Sequence, residues 1–218
     1  MSNVPIESRK AQFRQSILDW FKKNARVYPW RSTNDPYHIL IAEMLLRRTT
    51  ATAVSRVYPN FIKMFDTPEK LASSKISDIE SVVGTLGLQE MRAKHLHDMA
   101  RIIVTNYSGV IPNDFSQLIE LPGVGRYVAS AVLNFAFVQP IPLVDGNIQH
   151  LISRVFDIAF KNSSDQRVWD FMASFGIEAQ CTVFYWGIID LVALVCLRKT
   201  PRCGICPLAS FCNWRYSL

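Results

Sequence analysis

Cys196, Cys203, Cys206 and Cys212 stand in a C-x6-C-x2-C-x5-C frame of seventeen residues, with Arg198, Lys199 and Arg202 inside its first loop. Four thiols this close together suit a metal, because soft sulfur donors select zinc or an iron–sulfur cluster. A first gap of six residues does not fit the paired C-x2-C knuckles of structural zinc, and this favours a cluster. A zinc clip or two disulfides are the alternatives that the cysteines alone leave open. In a reducing compartment cysteines are more often ligands than bridges, and Cys181 reads as a buried spare.

Leu121-Pro122-Gly123-Val124-Gly125-Arg126 lies between two helical patterns, Phe115 to Glu120 and Tyr127 to Phe137. Its glycines permit a tight turn with exposed backbone N–H groups. Such donors at a helix N-terminus, with Arg126 beside them, can hold phosphate oxygens without reading base sequence. Asp145 follows the apolar run Ile141 to Val144 and precedes a helix beginning near Ile148. It reads as an N-cap, worth about 1 kcal/mol, and equally as a rigid carboxylate available for chemistry. Glu43 is the only charged residue in Ile39-Leu40-Ile41-Ala42-Glu43-Met44-Leu45-Leu46. Either it points from the helix into solvent, or it is buried at a cost that demands a reason, with a raised pKa suited to proton donation.

The elements that must position these groups are helical. Gln12 to Lys23 puts Phe13, Ile17, Trp20 and Phe21 on one face; Ile39 to Phe65, Ile79 to Leu86 and Arg92 to Tyr107 keep the same period. Turn signals punctuate the runs at Tyr28-Pro29, Asn34-Asp35-Pro36, Thr67-Pro68, Ser108-Gly109, Pro112-Asn113-Asp114, Pro122-Gly123 and Pro140 to Pro142. No stretch sustains period-two alternation, and Ile141 to Val144 is extended at best. The pattern predicts an all-α protein of about ten helices. The break at Pro140-x-Pro142 suggests a central helical block followed by a block that holds the cysteines.

At 218 residues and 49% hydrophobic content the chain can bury one good core or two small ones. A formal charge of +6 suits a polyanionic partner such as nucleic acid, though a merely basic surface would show the same total. Met1 to Trp20 holds Glu7, Arg9, Lys10 and Arg14 and no apolar core of signal-peptide length. The greasiest stretch, Gly187 to Cys196, carries Asp190, and no membrane span is expected. A cytoplasmic, nucleoid-associated protein is the expectation.

Taken together, the Leu121 to Arg126 turn, Asp145 about twenty residues on and the four-cysteine frame resemble the helix-hairpin-helix base-excision DNA glycosylases, which include endonuclease III and the MutY adenine glycosylases. Asp35-Pro36-Tyr37 and Glu43-Met44-Leu45-Leu46-Arg47-Arg48-Thr49-Thr50 resemble most closely the Mig-type thymine–guanine mismatch glycosylases. The match runs from about Phe21 to Trp214. It implies a two-domain helix-hairpin-helix fold: a six-helix block over residues 32–138, and a second domain of residues 1–31 plus 139–218 that carries a [4Fe-4S] cluster on Cys196, Cys203, Cys206 and Cys212.

The resemblance also implies roles. Asp145 stabilises the sugar cation and helps direct water, Glu43 activates the leaving base, and Asn147 lines the site. Tyr127 stands where endonuclease III has a lysine whose amine attacks the sugar; a phenol cannot form that Schiff base, so base removal without strand cleavage is implied. Base removal from a duplex needs the nucleotide swung out of the stack. Arg48, at a position where MutY inserts a glutamine, and Leu88-Gln89 in a second loop are the implied wedges. Arg47 joins them; an ordinary solvated helix end is the alternative for both arginines, and a C-cap contact for Leu88. Leu121, Gly123, Val124, Gly125, Arg126, Arg198, Lys199 and Arg202 are the implied phosphate contacts, with simple solubility the alternative for the last three.

The implied partner is double-stranded DNA with a mismatched or damaged base, met by a monomer. The implied reaction is hydrolytic removal of thymine or uracil mispaired with guanine, on the strength of Arg47-Arg48-Thr49-Thr50 where adenine glycosylases read Gln-Gln-Thr. Removal of adenine opposite guanine or its oxidised form is the second reading. Only six residues follow Cys212, so no counterpart of the further C-terminal domain of MutY proteins is expected. A non-catalytic DNA-binding module with a redox-sensing cluster is the third.

Overall fold

The computed structural model describes residues 5–176 and 181–216. These residues form twelve α-helices and three short 3-10 turns, with no strand among them. The chain divides into two compact units, one of residues Val27–Val138 and one of Met1–Arg26 with Gln139–Leu218.

In the Val27–Val138 unit, α2 (Pro36–Leu46) starts where Asp35 accepts hydrogen bonds from the N–H groups of Tyr37 and His38, with Pro36 preset at the first helical position. Every residue of α2 from Ile39 to Leu45 is buried. The helical run expected from Ile39 to Phe65 is interrupted after Leu46. Arg48 adopts a left-handed φ of 54°, and the Thr50 hydroxyl caps a new helix, α3 (Ala51–Met64), by accepting from Ala53 N–H. A side-chain acceptor offered to the backbone there competes with helix continuation, and the apolar period does not record that competition.

Helices α4 (Pro68–Ser73) and α5 (Ile76–Val83) lie against α6 (Gln89–Tyr107), whose Ala93, Leu96, Met99, Ala100 and Ile103 are buried. The five-residue α7 (Phe115–Ile119) leads through the glycine turn into α8 (Arg126–Phe135), which is buried from Val128 onward and packs on α2. Val138, the last residue of this unit, is β-branched yet left-handed at φ 54°, a conformation that costs on the order of 1–3 kcal/mol.

In the other unit, α1 (Ile6–Asn24) buries Phe13, Ile17 and Phe21 and packs on α11 (Cys181–Leu194). Phe13 meets the rings of Phe156, Phe175 and Phe184 at centroid distances of 5.6, 5.5 and 6.0 Å. Cys181 is fully buried, and none of the five cysteines is bridged. Asp190, the one acid in the apolar α11, is fully buried and accepts from the Arg26 backbone N–H at 2.9 Å and the Arg26 guanidinium at 2.7 Å. Helices α9 (Gly146–Phe156), α10 (Gln166–Ala173) and α12 (Asn213–Tyr216) complete the unit.

Gly187 sets the spacing of α1 and α11. A Cβ there would lie 2.6 Å from Ile17 Cγ2 and 3.4 Å from the Ile17 carbonyl oxygen. Gly187→Ala should therefore lower stability by about 1–3 kcal/mol despite its better helix propensity. Urea unfolding reads this as a lower midpoint at unchanged slope; an equal or higher midpoint would show that the two helices have room to spare.

Candidate functional site at helix ends

Asp145 is placed by the chain on both sides of it. Leu143 and Val144 are buried and anchor the extended approach, and α9 begins at the next residue. The carboxylate caps α9. One oxygen accepts from the N–H groups of Asn147 and Ile148, each at 2.8 Å, and the other from the Asn147 side-chain amide at 3.0 Å. Burial pushes the Asp145 pKa up, and this outweighs the three donors and the nearby Arg198 charge, which pull it down. Arg198 itself donates to the Gly146 carbonyl at 2.7 Å. The helix end thus holds the carboxylate rigid in a partly desolvated position, and the cap leaves it available for chemistry. Asn147 is both part of the cap and a side-chain partner of the acid.

Glu43 is 5% exposed, midway along α2. The alternative of a glutamate pointing into solvent is excluded.

The glycine turn is anchored by buried Leu121 and Val124. Gly123 has φ +80°, where any other side chain is strained, and a Cβ there would also have to displace Met44 Cε at 2.8 Å, Arg47 Nη1 at 2.9 Å and His95 Nδ1 at 3.0 Å. Gly125 is the N-cap residue of α8, no side chain caps that helix, and a Cβ on Gly125 would meet open space. The first N–H groups of α8 lack acceptors within the helix and carry its positive end, which suits an anion. Arg126 is exposed beside them and Tyr127 is half-buried.

Arg47, Arg48 and Leu88 come together, lining with Met44, Met91, Arg92 and His95 one hollow. Arg48 and Leu88 are exposed and left-handed at φ 54° and 53°. Leu88 is the N-cap residue of α6 and not a C-cap contact; Gln89 follows, exposed, at its first position. Burial and the Arg47 charge hold the His95 pKa down. Sequence reasoning missed His95 and Arg92. The signal for Arg92 was its place in the buried row Arg92, Leu96, Met99, Ile103 of α6, where a charged residue needs partners.

In the other unit, Cys196, Cys203, Cys206 and Cys212 line one small pocket with Arg154, Leu208 and Trp214 among its walls. Burial pushes up the pKa of Cys196 and Cys212, and that of Cys206 to about 11. Arg154 donates to Cys196 Sγ at 3.6 Å, the N–H of Leu208 to Cys206, and the N–H groups of Trp214 and Arg215 to Cys212. Donors aimed at sulfur favour thiolates and are a feature of cluster sites, so these residues fit an iron–sulfur group. Among the described residues no three His, Cys, Asp or Glu side chains gather as one metal ion requires. Lys199 and Arg202 are exposed on the loop.

The family model for HhH-GPD superfamily base excision DNA repair proteins matches residues 41–172, and that for the iron–sulfur binding domain of endonuclease III matches residues 196–212. The chain belongs to the HhH-GPD superfamily of base excision DNA repair proteins, and its cofactor is the [4Fe-4S] cluster of that cysteine loop. It is 32% identical to a thymine/uracil-DNA glycosylase of Methanothermobacter thermautotrophicus, over 98% of this chain and 97% of the relative. A thymine/uracil-DNA glycosylase of Pyrobaculum aerophilum is 35% identical over 95% and 93%. An adenine DNA glycosylase of Mycobacterium tuberculosis is 34% identical over 93% of this chain but 67% of its own length. The structure of a thermostable thymine-DNA glycosylase superposes with a TM-score of 0.92 at 31% identity, covering 97% of this chain and 98% of that one. Endonuclease III in a non-covalent DNA complex shares the fold at a TM-score of 0.87 and 21% identity, over 98% of each chain. No helix among the described residues is long and apolar enough to cross a membrane.

Purified protein should contain iron and acid-labile sulfide in equal amounts and no zinc. Cys206→Ser should lose most of both, as measured by metal and sulfide analysis. Zinc in place of iron in the wild type would restore the clip that the cysteine spacing argues against.

Proposed function

We propose that this protein is a monofunctional, monomeric DNA glycosylase that hydrolyses the N-glycosidic bond of thymine or uracil mispaired with guanine in double-stranded DNA. The observation that carries the reading is the Asp145 carboxylate, rigid and partly desolvated at the start of α9. The names and full-length similarity of the thymine/uracil-DNA glycosylases support the substrate.

In this reading the DNA lies along the positive ends and cations of the chain. The Leu121 to Arg126 turn takes phosphate through the α8 N-terminus, and Arg198, Lys199 and Arg202 add charge. Residues 32–138 form the block that opens the duplex. Arg47, Arg48, Leu88 and Gln89 fill the space left when the mispaired nucleotide swings out, which a mismatch makes easier than a sound pair. Glu43 delivers a proton to the leaving base, directly or through a water, as the bonding electrons pass to that base. The negative charge of Asp145 stabilises the cationic sugar, and water adds at C1′ and loses its proton, leaving an abasic site. Asn147 holds Asp145 in place. Tyr127 lines the pocket, and because a phenol offers no amine the strand stays intact. The cluster, held by Cys196, Cys203, Cys206 and Cys212, ties the C-terminal loop into a shape that presents its basic residues. The protein works on chromosomal DNA, associated with the nucleoid.

Labelled duplexes holding G·T, G·U, A·G and A opposite oxidised guanine test this. Base loss is expected from G·T and G·U, with strand breaks only after alkali. Adenine release without pyrimidine release would establish the reading that the adenine glycosylase relatives suggest; breaks without alkali would refute the argument from Tyr127. Asp145→Asn should slow release at least about 100-fold.

The active form of Asp145 is ionised, and its pKa lies above the ordinary carboxylate range. The single-turnover rate should therefore rise with pH through that raised value, and fall again at higher pH once the proton that Glu43 delivers is lost. An acid whose folded pKa exceeds its unfolded one loses stabilising free energy as pH climbs through the folded value. Asp145→Asn should accordingly melt no lower than the wild type at neutral pH, and a large drop in Tm would show that the ionised carboxylate contributes more through the α9 cap than its burial costs.

A further inference from the structure

Arg92 is 6% exposed, and its guanidinium gathers carbonyls from two separate segments. Nη1 donates to the carbonyls of Met44 at 2.9 Å and Leu45 at 3.0 Å, in the last turn of α2. Nη2 donates to the Arg47 carbonyl at 3.0 Å, and Nε to the Gly87 carbonyl at 3.4 Å. On each side one of the carbonyls held therefore belongs to the residue just before a left-handed one: Arg47 before Arg48, Gly87 before Leu88. Left-handed backbone at a residue other than glycine or asparagine costs on the order of 1 kcal/mol and persists only where the surroundings impose it. Here one planar fork imposes it at both places, and both exposed side chains stand at the rim of the same hollow.

We infer that Arg92 is a positioning residue for base extrusion, a single clamp that fixes Arg48 and Leu88 relative to each other so that both enter the duplex as one rigid wedge. This rests on the glycosylase reading and deepens it. The flat fork, not the charge, is what the role needs. A lysine ammonium is a point donor on a flexible stem and cannot meet four carbonyls on two segments. With lysine in place the left-handed turns relax independently, and filling the gap requires ordering two loops that the arginine had ordered beforehand.

The test uses full-length holoprotein and a G·T duplex with 2-aminopurine beside the thymine, whose fluorescence rises when stacking is broken. Wild type, Arg92→Lys, Leu88→Ala and the double variant are compared for this rise, for duplex affinity by anisotropy and for single-turnover base release. Arg92→Lys is expected to keep its circular dichroism spectrum and bind duplex within about threefold of wild type, since phosphate contacts are intact. It should lose most of the fluorescence rise and release base on the order of tenfold more slowly. The double variant should be no slower than the slower single, because both act through one wedge.

A full fluorescence rise in Arg92→Lys, or rate losses that multiply with those of Leu88→Ala, would overturn the clamp while leaving the glycosylase reading intact. A lysine variant that fails to fold would also overturn it, by making Arg92 a core residue. A wild type that breaks no stacking and releases no base would end both readings together.

Discussion

A charged group removed from water costs several kcal/mol unless its polar atoms are met, and for Asp145 and Arg92 this protein meets that constraint at the ends of helices. Asp145 takes the N–H groups that the start of α9 leaves unmatched. Arg92 takes the carbonyls that the end of α2 leaves unmatched. In each case a helix terminus and a side chain complete one another, and the backbone geometry fixes the charged group. The glycine turn extends the logic outward. The α8 N-terminus has no side-chain cap and faces open space at Gly125, so its donors suit an anion from outside the protein.

The fold by itself decides little about chemistry. Endonuclease III superposes almost as well as the thymine-DNA glycosylase does, at a lower identity. The side chains proposed to set the reaction, Tyr127 at the second position of α8 and Arg47 and Arg48 after α2, lie at helix ends outside the buried rows that pack α2 on α8.

Legibility in the sequence followed the same division. The helical period exposed the buried faces of α1, α6 and α8, and the Asp145 cap was readable because an acid followed an apolar run and preceded a helix. The cysteine frame was readable from spacing alone as metal-binding. Glu43 was ambiguous, since one acid among apolar residues fits a solvent-facing or a buried position equally, and only packing on both sides of α2 decides. The break at Leu46 was hidden because the apolar period resumes in α3; Thr50 as a cap was the single local sign. The place of Arg92 in a buried row was readable, but its partners were not, because three of them are backbone carbonyls more than forty residues away, and carbonyls carry no residue identity.

The division of the chain into Val27–Val138 and a unit drawn from both termini has a consequence for biosynthesis. Helix α1 precedes Val27–Val138 in translation, yet Gly187 and the rest of α11, on which Phe13, Ile17 and Phe21 close, are made more than 150 residues after it. The middle of the polypeptide can fold as soon as it emerges, since all its contacts within Val27–Val138 are already made. Throughout that interval the nascent N-terminal helix carries an uncovered aromatic stripe, which makes it the segment of this polypeptide that chaperones would shield.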